Sequence, residues 1–220
     1  DPDKRTRPLA AGTVSLVGGI SLIPLLLALA LAVAWTLPLP AQWALAAYAG
    51  GALVYNLGIK RTLWLDLVLL SGLYALRVIA GALAAGILPS PWLVSFSLFV
   101  FLSLAALKRY GELMRCAFEQ LPGRAYRRGD APIVAAFGIA AALASTVVLA
   151  LYVNAPEVAR MYARAQVLWA LGPIVLCWLA RLWTLAHRGE LHGDPVLHAL
   201  HDVGSWTAAV ALGACVLLAA

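Results

Sequence analysis

The chain has 220 residues, of which 63% are hydrophobic and 12% charged, with a formal net charge of +6. Soluble domains carry about 25% charged residues, so a chain this apolar, with mean hydropathy +0.89, cannot cover itself with a polar surface and must use lipid as its solvent. Three cysteines, Cys116, Cys177 and Cys215, stand far apart and odd in number, which excludes a disulfide framework or a cysteine metal motif and leaves them as small packing residues.

The opening segment, DPDKRTRPLAAG, is not a signal peptide, because no apolar core and small-residue cleavage site follow in that form. It reads as a loop entering a helix, and the chain is expected to be a piece of a longer polypeptide. Runs of about 20 apolar residues are needed to cross the hydrocarbon core. Seven candidates follow in order: Thr13–Leu37, Gln42–Gly58, Leu63–Leu88, Trp92–Leu107, Pro132–Val153, Gln166–Ala186 and Val196–Ala220. Pro38, Pro40, Pro89, Pro91, Pro132 and Pro195 fall at the breaks, where a helix can stop or start without losing an internal hydrogen bond. No period-two alternation competes with this assignment. The expected architecture is all-α, one polytopic transmembrane helix bundle over residues 1–220.

Charge orients the bundle. With the N-terminus inside, the inner segments hold Lys4, Arg5, Arg7, Lys60, Arg61, Lys108, Arg109, Arg115, Arg124, Arg127, Arg128 and Arg188, and the outer ones only Arg160 and Arg164. Twelve against two is a strong positive-inside bias. The net positive charge therefore reports topology and attraction to anionic headgroups, and requires no nucleic acid.

Four clusters carry potential chemistry. Lys4, Arg5 and Arg7 can hold a phosphate by charge and hydrogen bonds, or simply anchor the chain at the membrane surface. In YNLGIKRTLWLD, Lys60 and Arg61 fill a short turn and Asp66 lies just inside the next span. Arg77 follows eleven residues later on the same helical face, roughly 16 Å along the axis, too far to pair with Asp66. Each must find its own partner within the bundle, as a functional group or as polar glue between helices. In KRYGELMRCAFE, Lys108, Glu112, Arg115 and Glu119 share one face, either a solvated helix or the rim of an anion site. The loop after it, PGRAYRRGD, is basic with two glycines and suits a mobile cover over an anionic ligand. The stretch HRGELHGDPVLHALHD holds four histidines without metal-ligand spacing. Its Asp194 precedes Pro195 and looks like a helix cap.

These segments resemble the UbiA superfamily of intramembrane prenyltransferases, and within it the decaprenyl-phosphate phosphoribosyltransferase-like branch. The likeness rests on DPDKRTRPLAAG, YNLGIKRTLWLDLVLLSGLYALRVIAG, SPWLVSFSLFVFLSLAALKRYGEL and LAHRGELHGDP, in this order, and covers essentially the whole chain. It implies nine transmembrane helices around a cavity open to the cytoplasm and laterally to lipid. An aspartate-rich motif after the second helix would bind Mg²⁺ with the substrate's phosphates. Asp1 takes the place of a family histidine, and Pro2, Lys4, Arg5, Arg7 and Pro8 match the basic stretch behind that motif. The main metal ligands are thus expected upstream of Asp1, with seven of nine spans present. The second aspartate motif of typical members is replaced by Lys108-Arg109-Tyr110-Gly111-Glu112-Leu113, the phosphoribosyltransferase-like form.

The resemblance implies a transferase acting on a polyprenyl phosphate or diphosphate with loss of diphosphate, from a bacterial inner membrane with its active face cytoplasmic. The second substrate is phosphoribosyl diphosphate or, alternatively, a small aromatic acceptor. Asp66, Lys108 and Glu112 are the candidate catalytic residues. Lys4, Arg5, Arg7, Lys60 and Arg109 are candidates for phosphate binding, and Tyr55, Arg77 and Tyr110 for the substrate cavity. Asp66 and Glu112 would orient the cations or a metal. Two other classes stay open: a transporter, for which paired broken helices are expected but no such symmetry is seen, and a non-catalytic membrane scaffold.

Overall fold

The computed structural model describes residues 15–191 and 193–220. The expectations for Lys4, Arg5 and Arg7 lie outside the described residues, as does His192. Helices run in chain order as α1 (Leu16–Trp35), α2 (Leu39–Leu57), α3 (Leu65–Ala84), α4 (Pro91–Arg115), α5 (Ala131–Val153), α6 (Pro156–Met161), α7 (Leu171–His187), α8 (Pro195–His201) and α9 (Val203–Ala219). Among the described residues the one extended pairing is an isolated bridge between Gln120 and Arg127. The all-α bundle is thereby observed.

Helix occupies most of the described part of each of the seven expected spans. Among the described residues, four stretches are long and apolar enough to cross a membrane unaided: Leu65–Ala84, Pro91–Arg115, Arg128–Val153 and Ala165–His187. A fifth exists if α8 and α9 are one span, but they are bent by 81°. The apolar run 196–220 hid that break. Its cause is Asp202, whose extended backbone ends α8 while its carboxylate caps α9, accepting from the Ser205 N–H at 2.7 Å. The apolar part of α1, Ile20–Trp35, is shorter than a full span. In α2 the polar Gln42, Tyr48, Tyr55 and Asn56 dilute the apolar run.

Local chemistry sets the helix starts. Ser90 caps α4, its hydroxyl accepting from the Leu93 N–H at 3.2 Å, with Pro91 in the first turn where its missing N–H costs nothing. Asp194 does the same for α8, accepting from the Val196 N–H at 2.9 Å, as its position before Pro195 predicted.

Packing follows chain order: α2 lies on α3, α3 on α4, α4 on α5, α5 on α7 and α7 on α9. Lipid tails are as apolar as leucine, so these helices gain little from hydrophobic exclusion and depend on close fit and polar links. Gly138 shows the fit: a Cβ there would run into the Trp183 ring and the Ala106 methyl. The same ring is fixed by its Nε1–H donating to Ser103 Oγ at 3.0 Å.

Three connections meet at one end of the bundle. Arg124 donates to the Lys60 carbonyl at 3.1 Å, and Arg115 to the Leu191 carbonyl at 2.7 Å. The connection after α5 lies at the opposite end, where the Arg164 N–H bonds the Ala219 carbonyl at 3.0 Å. The charge bias requires the same grouping, with residues 58–64, 116–130 and 188–194 together and 154–166 apart.

Candidate active site

At the basic end, α3 and α4 enclose an ionic cluster. Asp66 is 0% exposed and Arg109 2% exposed. The Arg109 guanidinium donates to Asp66 Oδ2 at 2.7 Å, and through its other nitrogen it pairs with Glu112, one turn further along α4. Burying either charge alone costs several kcal/mol, and breaking such a pair costs about 3–5 kcal/mol. The placement of Asp66 and Arg109 on adjacent helices is therefore mutually enforced.

The 116–130 connection closes over this pair. The Tyr126 hydroxyl donates to Asp66 Oδ1 at 2.6 Å and accepts the Trp64 N–H at 3.0 Å. Burial first, and then the bond to the Asp66 carboxylate, push the Tyr126 phenol well above its usual range, so it stays protonated. Arg124 approaches Asp66 Oδ2 at 3.8 Å and donates to the Tyr55 hydroxyl at 2.8 Å. Two carboxylates thus face two guanidiniums, and the cluster is close to neutral. The connection itself is pinned: the Leu121 N–H bonds the Tyr126 carbonyl at 2.9 Å and the Arg128 N–H bonds the Glu119 carbonyl at 2.7 Å. It is an anchored cover, where two glycines in a basic loop suggested a loose one.

The turn beneath it is strained. Trp64 has φ +65°, the one positive φ outside glycine among the described residues. A bulky residue there costs about 1–3 kcal/mol and persists only where its surroundings hold it. The Tyr126 hydroxyl on its N–H, and the Tyr126 and Phe137 rings at 6.2 and 4.9 Å between centroids, do so.

The other candidates are distributed around this cluster. Lys108 points to the flank, where its ammonium meets Asp194 at 2.6 Å. Burial alone would raise the Asp194 carboxyl, yet Lys108 and the α8 backbone N–H groups hold it below its ordinary value. Glu119 leaves the predicted face because α4 ends at Arg115. Lys60, on the turn Ile59–Arg61, makes no ion pair among the described residues. Arg77 and Asp66 find separate partners, as their axial distance demanded: Arg77 bonds the Tyr48 hydroxyl and lies 4.8 and 4.9 Å from the Tyr48 and Tyr74 ring centroids. Tyr55 and Arg77 line one cavity of about 140 Å³ between α2 and α3. Tyr110 lines another, of about 370 Å³, between α4, α5 and α7.

Sequence reasoning did not single out Tyr126 and Arg124. The available signal was one tyrosine among arginines in a polar connection. Magnesium does not fit the described residues as a protein-held ion. No group of three His, Cys, Asp or Glu side chains gathers among them, and both Asp66 oxygens are already engaged by Tyr126 and Arg109.

The fold and this cluster define a polytopic membrane helix bundle with a buried, neutralised ionic site at its basic mouth. No family model matches the chain. It is 33% identical to the nodulation protein NoeC of Azorhizobium caulinodans, over 93% of this chain and 67% of that protein. It is 38% identical to the uncharacterized protein y4nM of Sinorhizobium fredii, over 92% of this chain and 40% of that one. The decaprenyl-phosphate phosphoribosyltransferase of Mycolicibacterium smegmatis is 38% identical over 51% of this chain and 35% of its own length. The chain belongs to the family that includes NoeC, and the phosphoribosyltransferase relatives support its place among UbiA-like proteins. It spans well under two thirds of the length of y4nM and of the phosphoribosyltransferase.

Proposed function

We propose that the full-length protein is a UbiA-like membrane transferase that acts on a polyprenyl phosphate and phosphoribosyl diphosphate. A phosphate oxygen of the lipid forms the new bond to the ribosyl C1. The bond from C1 to the diphosphate oxygen breaks, and diphosphate leaves with the electron pair. The observation that carries this reading is Arg109, buried at the basic mouth and fixed by Asp66 and Glu112. Asp66 and Glu112 neutralise Arg109, so the cluster fixes α3 against α4 at this end, and the charge that meets a leaving diphosphate comes from the basic residues around it.

In this reading Asp66 and Glu112 set the position of Arg109. Lys60 and Lys108 supply charge to the phosphates at the same mouth, a role also expected of Lys4, Arg5 and Arg7, which lie outside the described residues. Tyr55, Arg77 and Tyr110 belong to the cavity walls. The relatives named decaprenyl-phosphate phosphoribosyltransferase support the substrate class. Magnesium enters only as a requirement of the longer protein, and no step above is routed through it. The basic-residue bias supports a cytoplasmic mouth in a bacterial inner membrane.

The test is turnover by the full-length protein in membranes, with polyprenyl phosphate plus phosphoribosyl diphosphate and, separately, polyprenyl diphosphate plus an aromatic acceptor. The first pair is expected to react. Asp66→Ala, Lys108→Ala and Glu112→Ala are each expected to slow it more than about tenfold, a barrier increase of at least about 1.4 kcal/mol. Turnover with the second pair alone replaces the reaction by prenyl transfer to a small acceptor. Wild-type rates in all three variants, at normal expression, remove the site assignment.

A further inference from the structure

The larger of the two cavities described above is lined by side chains of α4, α5 and α7. Its volume of about 370 Å³ falls in the range of roughly 300–1,000 Å³ found for ligand sites. Small side chains make the space: Ala135 and Ala142 on α5 and Ala180 on α7. One wall is rigid, because the Trp183 ring is held by Ser103 and backed by Gly138. The cavity is polar at one end only. There the Tyr110 hydroxyl and His187 Nδ1 share a hydrogen bond of 3.0 Å, with the exposed Arg188 next in sequence. This is the basic end of the bundle.

The cleft is open at its side. Ile139 and Leu143 on its rim are 44% and 50% exposed, continuous with the exposed Val147 and Leu151 of α5. That surface faces hydrocarbon in a membrane-spanning helix, so the cleft opens to lipid.

We propose that this cleft holds one acyl chain of a bilayer phospholipid, with its phosphate at the Tyr110–His187–Arg188 end. The proposal departs from the transferase reading at Tyr110, whose cavity it assigns to a bilayer lipid, leaving the cavity of Tyr55 and Arg77 to the substrate. A chain seated there lies parallel to α5 and replaces contacts that the alanines leave unmade. The phosphate meets a phenol, an imidazole and a guanidinium at the level where headgroups of a basic membrane face reside.

The experiment places the full-length protein in nanodiscs doped with phosphatidylglycerol carrying a diazirine on one acyl chain, followed by photolysis and peptide mapping. Labelling is expected at Ile139, Leu143 and Leu176. Ala180→Phe fills the cleft from an exposed position that the fold does not need. It should cut that labelling at least fivefold and leave labelling of the exposed α1 surface unchanged. Arg188→Gln should weaken it in phosphatidylglycerol discs. Equal labelling in wild type and Ala180→Phe overturns the proposal. So does displacement of the label by a polyprenyl phosphate at low molar ratio, which would assign the cleft to an isoprenoid chain. If Ala180→Phe lowers thermal stability, Leu143→Trp is the second variant, with the same expected loss and the same refutation.

Discussion

Tyr126→Phe removes one oxygen atom and isolates what that atom does. The phenyl ring can keep its edge contact with Trp64 and its place beneath Arg109, whose guanidinium carbon is 5.5 Å from the ring centroid. Two hydrogen bonds go. The bond to Asp66 is made to a charged acceptor and contributes about 1.5–3 kcal/mol, and the partly buried Trp64 N–H left without its acceptor costs about 1–3 kcal/mol more. The strained φ of Trp64 then loses the bond that holds it. A total near 3 kcal/mol corresponds to roughly a hundredfold shift in the local opening equilibrium. Hydrogen exchange of the full-length protein in nanodiscs reads this directly. The Trp64 amide and amides of residues 121–128 should exchange about a hundredfold faster in the variant, while those around Leu179 in α7 stay unchanged. Exchange within threefold of wild type at Trp64 would refute the claim that Tyr126 holds the cover and the turn together.

Asp66→Ala leaves Arg109 buried without its main carboxylate and should cost about 3–5 kcal/mol. In a domain of this size that is a fall in Tm of about 6–20 °C, and a fall below about 2 °C would show that the pair does not hold α3 to α4. The double change Asp66→Leu with Arg109→Met should recover most of that loss in thermal unfolding, since apolar replacement of a buried pair is often neutral. Gly138→Ala should destabilise by about 1–3 kcal/mol through overpacking against Trp183, seen as a lower Tm and a shifted tryptophan emission. The Asp194 carboxyl is depressed in the fold, so its link to Lys108 is fully present above the unfolded carboxylate value of about 3.9. That contribution is lost as pH falls through the depressed folded value. Lys108→Met should therefore lower stability at pH 7 and have a shrinking effect as pH drops below about 4, checked by thermal unfolding across that range.

Much of the fold is written in one-dimensional signals. Length of apolar run, proline at the breaks and the count of basic residues per connection gave seven helical segments and the grouping of their ends. The 81° break at Asp202 escaped because a capping aspartate looks, in sequence, like any polar residue tolerated near a helix end. Within the site, Asp66 was legible because a carboxylate inside a span demands a partner. Which partner was not, since Arg109 lies 43 residues away and Tyr126 lies 60 away. Lys108 and Arg109 are neighbours in sequence yet turn to different elements, Asp194 before α8 and Asp66 on α3. Only the 100° step between adjacent helical residues, combined with the true positions of the neighbouring helices, separates them.

The distance between Asp66 and Arg109 along the chain has a consequence for how the protein is made. Asp66 leaves the ribosome 43 residues ahead of its partner. At about 5–20 residues per second that is a delay of roughly 2–9 s, far longer than helix formation takes. Throughout it, Asp66 is without the Arg109 guanidinium that it meets in the fold. The low-energy course is for α3 to wait at the headgroup layer, Asp66 in water, until α4 has emerged. The two then enter as a hairpin whose charges cancel on arrival, and the Tyr126 connection, translated after both, can close over them only afterwards.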